Sequence, residues 1–179
     1  MTFLASRYVR YLLLLIIIFP IYGAQTCKKS VQLFLDIDRL TTQEIEDFIA
    51  QKVRSSKPVI VDIGGEGSNL NAINVNPQRF ISDSDNVRPI PLWVKGKGES
   101  IPVKNGEVDY VILENTPLNN EIISEIIRII KKGGLIKLVH PIEYALKTHS
   151  EFSVHFPKAR VSQKRLRHGL LQTLIDLKP

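Results

Sequence analysis

The chain has 179 residues and a mass of 20.3 kDa, enough for one domain of ordinary size and too little for two with linkers. Hydrophobic residues make up 44% and charged residues 23%, a globular balance that excludes a disordered chain. The single cysteine excludes an intramolecular disulfide framework, the four scattered histidines give no metal-ligand spacing, and a formal charge of +6 spread along the chain does not indicate nucleic acid.

Residues 1–10 carry Arg7 and Arg10 and no acid, Tyr11–Tyr22 is almost wholly apolar, and Gly23-Ala24-Gln25 supplies small and polar residues. That layout predicts a signal peptide or membrane anchor over residues 1–24, ahead of a domain over residues 25–179. The uncharged stretch Tyr11–Cys27 has 17 residues, the short end of the roughly 17–25 that a spanning helix needs, so export and a single-pass anchor both stay open. Arg7 and Arg10 favour a cytoplasmic N-terminus with the remainder outside. Cys27 raises lipidation as a further reading, although Thr26 stands where that processing box prefers a smaller residue. Without Arg7 and Arg10 the 24 basic residues become 22 against 18 acids, a net charge of +4.

In chain order, Thr41-Thr42-Gln43-Glu44 has the form of a capping box, and Ile45, Phe48, Ile49 and Val53 recur at helical spacing to about Arg54. Val59–Ile63 is a short β-branched run without alternation, as in a strand buried on both faces, and it enters the turn Gly64-Gly65-Glu66-Gly67-Ser68. Ala72–Asn76 is a second strand, residues 80–98 are rich in loop residues, and Asp109–Leu113 is a third strand. Glu121–Lys132 predicts an amphipathic helix with Glu121, Glu125, Arg128 and Lys131 on its polar side, stopped by Gly133-Gly134. Leu135–Val139 is a fourth strand, and Leu170–Leu177 predicts a last one. Strands alternating with helices give an α/β sandwich with a mainly parallel sheet, which binds ligands at the carboxyl ends of its strands.

The succession matters more than any one piece. Val59–Gly67 reads strand, acid, glycine turn; Gly96–Asp109 reads GKGESIPVKNGEVD; Ile126–Val139 reads IIRIIKKGGLIKLV. This order resembles the class I S-adenosylmethionine-dependent methyltransferases, notably the small-molecule type of quinone biosynthesis, with a DxGxGxG turn, an acidic loop and a helix ending in a glycine pair. Asp62–Gly67, Ile73–Pro77, Arg88–Pro91 and Leu113–Leu118 also resemble the methyltransferase-like domain of bacterial polymorphic toxins. The resemblance covers roughly Lys57–Pro141, nearly half of the chain.

The resemblance implies a Rossmann-like sandwich and S-adenosyl-L-methionine as cofactor. It implies that Gly64, Gly65 and Gly67 pass close to the methionine portion, that Asp62 binds its amino group, and that Asn76 faces the ribose hydroxyls. It implies that Glu99, Ser100 and Ile101 lie beside the adenine, and that Glu114 and Asn115 border the methyl group and its acceptor. Asn115-Thr116-Pro117-Leu118 partly resembles the Asn-Pro-Pro-aromatic loop of enzymes that methylate planar amines, without the second proline and the aromatic; Asn115 or Thr116 capping a helix is the structural reading. The methyl acceptor, small molecule or protein, is unassigned. Membrane contact would run through the N-terminal segment.

Four departures carry an alternative, a catalytically inactive binding domain with the same fold. Glu66 and Ser68 replace the second and third glycines of the turn. The 14 positions from Asp62 to Asn76 leave the first helix shortened to a turn or lost. Lys97 stands where an acid would accept from adenine, and Asn76 replaces a carboxylate. A dinucleotide-dependent oxidoreductase is a third reading, opposed by the same short gap. Trp93 reads as a lid or a core anchor, His140 as a hydrogen-bonded structural residue, and His149, His155 and His168 show no partners. Lys158, Arg160, Lys164, Arg165 and Arg167 read as a solvated loop or strand edge, or as a contact to phosphate.

Overall fold

The computed structural model describes residues 40–83 and 86–178; the apolar N-terminal segment and Cys27 lie outside the described residues. Among the described residues no helix is long and apolar enough to cross a membrane. Helix α1 (Thr42–Arg54) opens on the expected capping box. Thr41 Oγ1 accepts from Glu44 N–H at 3.2 Å, and Glu44 Oε2 accepts from Thr41 N–H at 2.8 Å. That bond from the Thr41 backbone holds the exposed Glu44 carboxyl below its ordinary range.

The strands follow as β1 (Ile60–Ile63), β2 (Ala72–Asn76), β3 (Phe80–Asp83), β4 (Asn86–Pro89), β5 (Trp93–Lys95), β6 (Val108–Glu114), β7 (Ile130–Pro141), β8 (Arg160–Arg165) and β9 (Leu170–Asp176). Seven form one sheet in the order β5-β2-β1-β6-β7-β9-β8, and β3 and β4 pair as a separate hairpin. Strands β5, β2, β1, β6 and β7 run parallel, and β9 runs antiparallel between β7 and β8. The sandwich is thus Rossmann-like with a mainly parallel sheet. Residues 64–71 contain turns and no helix, so the first helix after the glycine turn is absent.

Among the described residues two more α-helices follow, α2 (Asn120–Ile129) and α3 (Ile142–Ser153). Side chains alternate across a strand. Val61, Ile63, Ile73, Val75, Val111, Leu113, Ile136, Leu138 and Ile175 therefore share one sheet face, and they form one core with Ile45 and Ile49 of α1, Ile122, Ile126 and Ile129 of α2, and Phe152 of α3. These three described helices cover that face. Burying each such isoleucine contributes roughly 1.5–3 kcal/mol. The register places Asp62, Asn74, Ile112 and Lys137 together on the opposite face.

Several expectations are corrected. The helix expected to reach Lys132 ends at Ile129, because Ile130 is already extended (φ −70°, ψ 136°) and pairs with Val108. The pairing then jumps to Tyr110–Leu135, so Lys131–Gly134 bulge out of β7, and Lys131 bonds Asp109 at 2.8 Å instead of capping a helix. The loop region 80–98 holds a hairpin and the sheet strand β5. Trp93 is a core anchor, buried in β5 with its Nε1–H donating to Asn76 O at 2.9 Å. The basic C-terminal run lies largely on β8, a wholly exposed edge strand where charge discourages further strand pairing.

Candidate functional site

The sheet order reverses at β1, with β2 on one side and β6 on the other. At the carboxyl ends of these strands lies a cavity of about 380 Å³, the size range of small-ligand sites. Gly64 enters from the turn after β1, and Val75, Asn76 and Pro77 from the end of β2. Gly96, Lys97 and Glu99 follow β5; Asn115, Thr116, Pro117 and Asn119 follow β6, with Ile122 of α2 behind them. A second cavity of about 580 Å³ opens around Lys57, Asp109 and Lys131 at the amino ends of β1 and β6. Its one lining acid already accepts from Val59 N–H and Lys131, both at 2.8 Å. Position in an α/β sheet favours the first cavity.

Backbone geometry forms the floor of that cavity. Gly64 has φ +78°, and a Cβ there would lie 1.8 Å from Thr116 Oγ1, so only glycine lets the β1 turn meet the β6 loop. Asn115 also sits in the left-handed region (φ +52°), which Asn tolerates better than most residues. Its N–H donates to Val139 O at 2.9 Å. Outside the cavity lining, Arg128 of α2 donates to Ile101 O at 2.9 Å and Val103 O at 2.7 Å, and pairs with Glu125 at 2.6 Å. Glu125 also accepts from Ile101 N–H at 2.6 Å. The Arg128 guanidinium beside it keeps the Glu125 carboxyl below its ordinary range. This tie fixes the chain that follows Gly96-Lys97-Gly98-Glu99.

The cavity brings together Gly64, Asn76, Glu99 and Asn115 of the residues expected at the site. It does not bring the others. Asp62 is buried on the face away from the helices, and its Oδ2 accepts from Asn69 Nδ2 at 2.8 Å. Burial pushes its carboxyl up to about 6, against the Asn69 hydrogen bond that lowers it. Gly65 packs on Asp62 and Asn74, and Gly67 on Pro91, so their missing side chains serve close packing. Ile101 is a core residue, and Ser100 is exposed outside the cavity lining. Glu114 points to the same sheet face as Asp62 and pairs with Lys137 at 2.5 Å.

Asn76 lines the cavity, but its amide is partly engaged: Nδ2 donates to Gly64 O and Gly65 O, both at 3.3 Å, and Oδ1 accepts from Gln78 N–H at 2.8 Å. The cap of α2 is Asn119, whose Oδ1 accepts from Ile122 N–H at 2.8 Å, rather than Asn115 or Thr116. His140 is hydrogen-bonded as expected. His149 is not without partners, since it lies between His140 and Thr173, 2.8 Å from each. Sequence reasoning missed Thr116, Pro117 and Asn119 as cavity residues, and treated Glu125 as solvent-facing. Glu125 falls three residues after Ile122 and four before Ile129, on the buried face of α2, and that spacing is the signal.

Comparison with known sequences finds no matching family model and no matching curated protein. Comparison with solved structures does find relatives in shape. A protein of Methanococcus maripaludis, described as an S-adenosyl-L-methionine-dependent methyltransferase, superposes with a TM-score of 0.51 at 10% identity, over 74% of this chain and 85% of that one. A mutant 16S rRNA (adenine-N1)-methyltransferase of Catenulisporales acidiphilia, solved with its cosubstrate S-adenosylmethionine, superposes with a TM-score of 0.50 at 13% identity, over 78% and 92%. The fold is that of a class I S-adenosylmethionine-dependent methyltransferase. At these identities the likeness is one of architecture. Within this fold the cavity occupies the switch point of the sheet, and β1 passes to β2 without an intervening helix.

Proposed function

We propose that the chain binds S-adenosyl-L-methionine in the cavity between Gly64, Asn76, Glu99 and Asn115 and transfers its methyl group to an acceptor. The observation that carries this reading is the cavity at the switch point of a methyltransferase fold, floored by a Gly64 that no other residue can replace without displacing Thr116. The residues present fit such a ligand in part. A volume of about 380 Å³ suits a molecule of nucleoside size. Asn115 lines the cavity, Asn76 Oδ1 retains acceptor capacity for a hydroxyl, and Lys97 and Glu99 offer one charge of each sign to an amino acid. Asp62 does not take part, because its carboxyl is turned to Asn69 on the other face.

Bound there, the cofactor supplies a methyl group on a positively charged sulfur, a leaving group already activated. The chain's own task is then to align donor and acceptor and to exclude water. In this reading Asn115, Thr116 and Pro117, which line the cavity, border the acceptor, and Glu114 is held in its pair with Lys137. Photocrosslinking the full chain with methyl-labelled S-adenosylmethionine tests the assignment. Label on peptides containing residues 64–77 or 96–119, competed by S-adenosylhomocysteine, supports it. Label elsewhere, or none, turns the reading to a fold kept for binding another partner.

A further inference from the structure

The wall of the cavity is held from behind by a chain of buried polar groups. His140, at the end of β7, has Nε2 2.7 Å from Thr116 O, and its Nδ1 is 2.8 Å from His149 Nε2 of α3. His149 Nδ1 is 2.8 Å from Thr173 Oγ1 of β9, which accepts from Gln163 Nε2 of β8 at 3.2 Å. The proton positions follow from one end. A carbonyl only accepts, so His140 Nε2 carries a proton. A neutral His140 then accepts at Nδ1, His149 donates from Nε2, and Thr173 donates to His149 Nδ1. Every link is satisfied in this one set of tautomers.

Burial is consistent with two neutral rings. His140 and His149 are 2% and 0% exposed. Burial lowers the His149 imidazolium to about 4, helped by the nearby His140, and lowers His140 as well against its bond to Thr116. The groups facing the pair are Tyr144 of α3, with its ring 5.1 Å from that of His140, the Thr173 hydroxyl, and Glu114 acting on His140 from β6. Glu114 is itself paired with Lys137. Tyr144 adds a second hold on the same loop, since Leu118 N–H donates to its Oη at 2.8 Å.

We propose that His140 is the positioning residue of the cavity, donating its Nε2 proton to Thr116 O and so holding Asn115–Pro117 against Gly64, with His149 and Thr173 selecting the tautomer that can donate. His140 does not line the cavity and acts through Thr116. The inference rests on the proposed cofactor reading only for the ligand's identity.

The test uses the full chain labelled with nitrogen-15 and two-bond proton–nitrogen spectra of its histidines, which report tautomers without any ligand. The expected result is the Nε2–H tautomer at both His140 and His149 at pH 7.5, above the ordinary histidine range from which burial lowers both rings. His149→Phe removes the donor to His140, so His140 should become a tautomer mixture and the Asn115 and Thr116 amide signals should shift. His149→Gln, whose amide can donate, should restore part of the wild-type pattern. S-adenosylhomocysteine affinity should fall about tenfold in His149→Phe. An Nδ1–H tautomer at His140 in the wild type, or unchanged Asn115 and Thr116 signals in a folded His149→Phe, overturns the positioning role. Wild-type chain with the expected spectra but no S-adenosylhomocysteine binding leaves the positioning role standing and overturns the cofactor reading.

Discussion

Asp62 of β1 and Asn74 of β2 stand in register across the parallel pair, both buried, and Asn74 Oδ1 has no hydrogen-bond partner. A Cβ built on Gly65 would lie 2.5 Å from Asn74 Oδ1 and 2.7 Å from the Asp62 carboxyl carbon, so the two groups flank a single point. An unpaired buried acceptor beside a buried carboxyl group favours a proton on that carboxyl. Burial already pushes the Asp62 carboxyl up to about 6.

Asp62→Asn supplies that proton permanently. Its amide can donate to Asn74 Oδ1 while its oxygen still accepts from Asn69. The substitution should stabilise the fold by roughly 1–2 kcal/mol at pH 7.5, read by urea unfolding. A loss of stability instead would mean that the ionised carboxylate is well matched to its surroundings.

The pH dependence of stability should carry two opposed contributions. The Asp62 carboxyl is raised from 3.8 to about 6, so the folded state binds more protons than the unfolded chain in that window, and stability falls as pH rises through it. The His149 imidazolium is lowered from 6.5 to about 4, so the unfolded chain binds more protons and stability rises with pH over that window. Wild-type stability should therefore be nearly flat between about pH 4 and 6 in these two terms. Asp62→Asn should expose the rise with pH, and His149→Phe should expose the fall. Parallel curves for all three chains would contradict both assignments.

Gly64 and Thr116 should be energetically coupled. Gly64→Ala forces a Cβ to within 1.8 Å of Thr116 Oγ1 at a backbone φ of +78°, and should cost about 2–4 kcal/mol. Thr116→Ala removes the clashing oxygen, so the double variant should recover at least about 1 kcal/mol over additivity. A double-mutant cycle with zero coupling would show that the turn relaxes away from the β6 loop.

The Glu125–Arg128 tie should matter more than an exposed ion pair on a helix surface. Glu125→Ala leaves Arg128 facing the Ile101 and Val103 carbonyls and removes the acceptor of Ile101 N–H. It should cost about 2–4 kcal/mol, against under about 1 for the exposed pair Lys147–Glu151. Equal effects in thermal unfolding of Glu125→Ala and Glu151→Ala would contradict the structural role.

Much of the fold was legible where local chemistry and tertiary role agree. Thr41 and Glu44 announce the first helix, and the largely apolar runs without alternation at Val59–Ile63 and Tyr110–Leu113 announce central parallel strands. Helix α3 was missed because Ala145, His149 and Phe152 form its buried stripe, and a histidine in that stripe does not read as apolar. Strand β8 was legible only as a solvated loop or strand edge, because every residue of it is exposed. At the site, Gly64, Asn76, Glu99 and Asn115 were legible from their places after successive strands. The turning away of Asp62 and Glu114 was not, because it depends on which sheet face the helices cover. Period two puts Asp62 opposite Val61 and Ile63, yet nothing local tells which side faces the core.

The central claim is that the cavity at Gly64, Asn76 and Asn115 holds S-adenosylmethionine, and calorimetric titration of the full chain with S-adenosylhomocysteine tests it most directly. The account predicts micromolar binding that weakens at least tenfold in Asn115→Gly, a change that keeps the left-handed backbone and removes the side chain of a cavity-lining residue. No heat of binding at millimolar ligand with folded protein, or full affinity in Asn115→Gly, would contradict it.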